Sequence, residues 1–185
     1  MNTDELLDDL IGMLEESKLR VEQLPERSLE DLNWRPSEDK WTVLECLEHL
    51  NLYGDFYIPE IERVIKKSRS QSAPKAFKQT WWGDFFVNAL APKSKQTIKP
   101  LSAMEKLNPK GMNLGLETVE RFITQHSQLI NLYKQARLVD IQHKCTGTTI
   151  PLVRLRLVDS LRGQSYHSQR HIDQAFGVLE QFPQS

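Results

Sequence analysis

The chain has 185 residues, enough for one well-buried domain, and nothing in it calls for a second. Its 39% hydrophobic and 26% charged residues are the balance of a soluble globular protein and exclude wholesale disorder. Lys and Arg number 24 against 25 Asp and Glu, with no long run of one sign, so nucleic acid is not the expected partner.

The N-terminus "MNTDELLDDL" is acidic and amphipathic, the opposite of a secretory or transit signal. No stretch approaches the roughly 20 consecutive apolar residues that span a bilayer, so no membrane partner is expected either. Cys46 and Cys145 form neither a CxxC nor a disulfide framework, which points to a reduced, cytoplasmic protein.

In chain order, residues 3 to about 24 predict a first helix, with Leu6, Leu7, Leu10, Met13, Leu14 and Val21 at helical spacing. Thr3 is the expected N-cap and Pro25 the stop. The linker "PERSLEDLNWRPSED" follows. In "KWTVLEC", Thr42 and Glu45 form a capping box, and Trp41 and Cys46 occupy the positions of a hydrophobic staple. The second helix then carries Val43, Leu47, Leu50, Tyr57, Ile61 and Val64 on one stripe, with a kink expected near Pro59. Residues 68 to about 113 hold "WWGDFF" and predict an ordered excursion with a short helix near 81–90. A third long helix spans about 115–137 and a fourth about 156–181. "TTIPLVRLRL" has strand character but is too isolated to build a sheet. The expected fold is an all-α four-helix bundle, one domain over residues 1–185, with a long ordered connection between the second and third long helices.

"SYHSQRHIDQ" places His167 and His171 four positions apart, hence on one helix face with Cβ atoms about 5–6 Å apart. At about 100° per residue, Leu157, Leu161, Ala175 and Leu179 define the core direction. His171 falls inside that stripe and His167 on its margin, with Gln164 and Ser168 also inward. The pair is either a metal-ligating couple or two satisfied structural histidines. His49, in "LECLEHL" beside the apolar stripe of the second helix, offers a third ligand from a facing helix. Three histidines from two helices make a site with an open position for water or substrate. The other reading of His49 is a partly buried histidine bonded to a carbonyl. His126 reads as a satisfied core histidine or, alternatively, a fourth ligand, and Cys46, one turn before His49, as a packed core thiol or, alternatively, a group that approaches the metal. His143 has no assigned role. Arg170 and Asp173 are expected on the solvent side or at a dimer edge.

"LNWRPSEDKWTVLECLEHL", with its Trp-Thr helix start ahead of Leu-x-His-Leu, and the closing "HSQRHIDQ" together resemble the DinB-like (DinB/YfiT) superfamily over nearly the whole chain. The resemblance implies a bundle of up-down-down-up connectivity, often a homodimer. Its divalent-metal triad maps onto His49, His167 and His171; imidazole ligands suit zinc, nickel, iron and copper, and zinc or nickel is the expected ion. It also implies thiol-dependent chemistry, since similar proteins include S-transferases using low-molecular-weight thiols and thiol-dependent isomerases.

"HSQRH" lacks the glutamate of HExxH, so zincin-type hydrolysis is not written in this helix. Thiolate activation needs less help, because a metal itself favours deprotonated sulfur. The expected function is a divalent-metal-dependent transferase that activates a small thiol, with Tyr53, Tyr57 and "WWGDFF" either lining a pocket wall or simply packed in the core. The alternatives are a non-catalytic metal- or ligand-binding bundle and a metal-dependent hydrolase.

Overall fold

The structure is a computed structural model that describes residues 2–68, 81–90 and 106–183, and within 81–90 the side chains of 81, 83–85 and 87. The described residues are mostly helical. They form α1 (Thr3–Val21), α2 (Leu29–Asn33), α3 (Val43–Ser68), α4 (Trp81–Leu90), α5 (Glu117–Ala136) and α6 (Leu157–Leu179). Two three-residue strands, β1 (Cys145–Gly147) and β2 (Arg154–Arg156), pair antiparallel with Thr146 opposite Leu155. The strand character of "TTIPLVRLRL" therefore does build a sheet, because residues 145–147, within a segment that reads as a plain connection, supply its partner.

Local chemistry accounts for the helix boundaries. The cap of α1 is Asn2, whose side chain accepts the Asp4 N–H, and not the expected Thr3, which is buried. α1 ends at Val21, and Pro25 sits inside a short 3₁₀ turn, Leu24–Glu26. Within the linker, Ser28 caps α2 by accepting the Asp31 N–H. The capping box of α3 forms as expected: the Glu45 N–H donates to Thr42 Oγ1 at 3.0 Å, and the Thr42 N–H donates to Glu45 Oε2 at 2.9 Å. α3 then continues unbroken through Pro59 to Ser68. The short helix expected near 81–90 is α4, while the rest of the excursion falls largely on 69–80 and 91–105, outside the described residues.

α1 and α3 each pack against both α5 and α6, and α4 lies along α6. Arg162, 5% exposed, joins that contact by donating to Asp84 Oδ1 at 2.8 Å and Asp159 Oδ1 at 3.2 Å. Burial raises the Asp159 carboxyl above its ordinary value, although the Arg162 guanidinium opposes the shift. Gly83 is the close-approach point, since a Cβ there would collide with the Asp159 carboxylate. With α4 on its outer side, α6 is buried all round from Leu157 to Ser165.

The core divides into two apolar clusters. One is built by Leu6–Leu14, Tyr53–Ile65, Leu129–Ile141 and Leu157–Leu161. The other is built by Val21, Leu24, Leu32, Val43–Leu50, Val119, Phe122 and Ile172–Val178. At their junction lie buried polar residues, among them Glu48, Asn51, His126, Gln164, Ser165, His167 and Ser168. Both cysteines are free thiols. Among the described residues no helix is long and apolar enough to cross a membrane.

Candidate metal centre

His49 belongs to the second turn of α3, just after the capping box, and His167 and His171 to adjacent turns of α6. Because α3 packs on α6, the three imidazoles converge with ring centroids 5.1, 4.6 and 4.6 Å apart. One nitrogen from each lies within 4.8 Å of the others, and among the described residues the group has these three members. The depth order differs from the helical-phase expectation: His167 is buried at 4% exposure, whereas His171 is half-buried.

Hydrogen bonds sort the nitrogens. His49 Nδ1–H donates to the Leu107 carbonyl at 2.6 Å, leaving Nε2 as a lone pair. His171 Nδ1–H donates to Gln174 Oε1 at 3.0 Å, which likewise frees Nε2. His49 Nε2 faces His167 Nε2 at 3.3 Å. Two nitrogen ligands of one tetrahedral ion, each at about 2.0–2.1 Å, are separated by about 3.3–3.4 Å, so this spacing fits a shared cation. His167 Nδ1 is buried with no hydrogen-bond partner among the described residues, so the protein leaves this ring only half satisfied.

Electrostatics favour the ligating form. Burial lowers His49 to about 4, against a small opposing effect of its bond to Leu107. Burial, then the charge of His49, lowers His171 to about 3, and burial first of all drives His167 well below its ordinary value. All three are neutral at pH 7, the state in which imidazole binds metal. Arg170, expected at the solvent side or a dimer edge, is half-buried, and its charge contributes to the lowering at both His167 and His171. Asp173 is exposed, as expected, and pairs with Arg20 at 2.7 Å.

Aromatic rings wall the cluster. Trp41 stacks on His171 with centroids 5.7 Å apart and lies 4.8 Å from His49. Tyr53 lies 4.9 Å from His49 and 4.4 Å from His167. Thr149, in the turn between β1 and β2, lies beside Tyr53 and Tyr57 and opposes the upward shift of their phenols. Burial pushes the Tyr53 phenol up to about 12. The described side chains of "WWGDFF" reach Asp159 and Arg162 through Gly83 and Asp84, while Trp82 and Phe86 lie outside the described side chains.

The remaining polar residues fall where a structural role puts them. His126 is 4% exposed, accepts from the Ser168 hydroxyl at 2.7 Å and donates to the Phe122 carbonyl at 3.2 Å. It stands apart from the triad. The Cys46 thiol is buried and pushed up to about 12 by that burial, as a core thiol should be. His143 is exposed beside Asp140 at 2.9 Å. Sequence reasoning missed the Leu107 carbonyl and Thr149, which long-range folding supplies. Gln174, three residues after His171, had a usable signal in that spacing.

The fold is mostly helical and carries a three-histidine cluster that could hold a metal ion. The chain belongs to the DinB superfamily, whose family profile matches residues 4–175. No curated protein and no solved structure matches it significantly.

Proposed function

We propose that this protein is a divalent-metal-dependent transferase in which His49, His167 and His171 hold the ion and the acceptor of the ion's activation is a low-molecular-weight thiol. The observation that carries the proposal is the pair of facing Nε2 atoms 3.3 Å apart, one of them on a ring whose other nitrogen is already bonded to a carbonyl. When bound there, a divalent ion would hold a thiol as thiolate at neutral pH.

The chain's own residues do the rest. Leu107 and Gln174 hold two rings in the tautomer that turns Nε2 inward. Trp41 and Tyr53 cover the rings and exclude water from them. Three neutral ligands leave the ion's charge uncancelled, which favours an anionic fourth group. Among the described residues the cluster contains no carboxylate to act as a general base for water. That favours the thiol over hydrolysis.

Zinc or nickel fits the all-imidazole donor set. Residues 1–185 form one domain, the four long helices run up-down-down-up, and the working unit is a homodimer in the cytoplasm. The test is elemental analysis of native protein made with metal present and never exposed to chelator, beside His49→Ala and His167→Ala. About one ion per chain in the native protein and loss of it in both variants is expected. A native protein without stoichiometric transition metal removes the proposal's basis. Thiol transfer to a generic electrophile that survives both substitutions removes the mechanism.

A further inference from the structure

Glu45 stands one turn before His49 on α3 and is 2% exposed. Its two carboxylate oxygens have separate tasks. Oε2 accepts the Thr42 N–H and completes the capping box. Oε1 accepts from Arg35 Nη2 at 2.8 Å and from the Gly111 N–H at 2.7 Å. The capping box needs only one oxygen, and Gln serves there as well as Glu. The second oxygen is thus free to make a charge-assisted hold on a loop 66 residues away.

That loop is the one whose Leu107 carbonyl receives His49 Nδ1–H. The loop is ordered by its own bonds: the Lys110 N–H donates to Asn108 Oδ1 between the anchor points, and the Met112 N–H, just past Gly111, donates to the Pro109 carbonyl. Gly111 has φ of 82°, a backbone state that L side chains rarely adopt. A Cβ at Gly111 would meet nothing within 4 Å, so only the backbone conformation calls for glycine there.

We propose that Glu45 is a positioning residue for the histidine centre, which fixes the tautomer and orientation of His49 by holding the Leu107–Gly111 loop; this rests on the three-histidine reading above. The first turn of α3 holds the loop, and the loop holds the ring. Removing the Glu45 hold frees the Leu107 carbonyl to drift and lets His49 turn either nitrogen inward.

The test uses the full chain and four variants: Glu45→Ala, Gly111→Ala, Gly111→Asn and Thr42→Ala. Two properties are measured: zinc affinity by competition titration, and the His49 tautomer in metal-free protein by ¹⁵N NMR of the imidazole nitrogens. Wild type should show His49 protonated on Nδ1. Glu45→Ala and Gly111→Ala should bind zinc about tenfold more weakly or worse, the usual effect of losing an outer partner of a ligand. Both should also show mixed His49 tautomers. Gly111→Asn, which tolerates the left-handed backbone, should behave as wild type. Thr42→Ala should lose the cap and keep both properties.

If Thr42→Ala matches Glu45→Ala, Glu45 acts only through the helix start and the proposal is wrong. It is equally wrong if Gly111→Ala leaves both properties unchanged. Should Glu45→Ala fail to fold, the two Gly111 variants decide alone. Should wild type bind no zinc, the metal reading fails by itself and the metal-free tautomer still decides this one: mixed tautomers in Gly111→Ala support it, and an unchanged tautomer overturns it.

Discussion

His126 and His167 are equally deep, each 4% exposed, on helices that bracket the same buried layer, yet their surroundings are opposite. Both nitrogens of His126 are spoken for, by the Ser168 hydroxyl and the Phe122 carbonyl, and its ring stacks on Phe122 at 3.7 Å. His167 has one nitrogen facing another imidazole nitrogen and one with no hydrogen-bond partner among the described residues. Burial alone therefore does not tell the two histidines apart. What separates the two is whether the protein has already satisfied the ring.

The largest effect that would sharpen this contrast is in pH. In metal-free protein the folded values sit near 4 for His49, near 3 for His126 and His171, and far below normal for His167, in each case chiefly through burial. The unfolded chain takes up these protons below about pH 6.5, so stability is fully present above that value and is lost as pH falls toward the folded values. By about pH 5.5 the loss should reach up to about 1.4 kcal/mol per histidine, read from denaturant midpoints between pH 7.5 and 5.5. Without metal, His126→Gln should remove one share of the slope, as a triad substitution would. With metal bound the midpoints should rise while the slope over this range stays the same, because the folded triad is unprotonated either way. A slope untouched by His126→Gln would break the contrast at its start.

Next in size is His126→Ala. It empties a buried site and strips the Ser168 hydroxyl of its acceptor, at a cost of about 2–3 kcal/mol. Metal content should not change. Loss of the ion in this variant would mean that His126 serves the centre and that the two regions are one.

The smallest expected effect is at Gln174, exposed and bonded to His171 Nδ1. Gln174→Ala should weaken metal binding about tenfold. Metal-free stability should move by less than about 0.5 kcal/mol, as at other exposed sites. Competition titration beside a denaturant melt reads both quantities, and unchanged affinity would remove Gln174 from the support of the ring.

Much of this was legible in the residues. The helix start at Thr42 and Glu45, the four long helices, the short helix at 81–90 and the shared face of His167 and His171 follow from local spacing, whereas His49 as their neighbour came from the family resemblance. The separate placing of His126 and Cys46 also follows from spacing. The depth order of His167 and His171 was not legible, because it depends on which side chains of other elements cover each ring, Tyr53 over His167 and Trp41 over His171. The small sheet escaped because each strand has only three residues, too few for an alternation to show. The Leu107 carbonyl escaped because any residue type offers a carbonyl.

The layer of polar side chains between the two apolar clusters also acts as a ruler. Apolar contacts are forgiving: sliding α6 along α3 by one turn, about 5.4 Å, would still bring apolar side chains against apolar ones. The same slide would separate His167 from His49, take Ser168 away from His126 and press imidazoles into hydrocarbon, leaving several buried polar atoms unmatched at once. Alternative registers of the helices are thus excluded by the residues that contribute least to hydrophobic stability. Replacing the layer with well-packed aliphatic residues is expected to yield a chain that is still helical but less certain of which turn meets which.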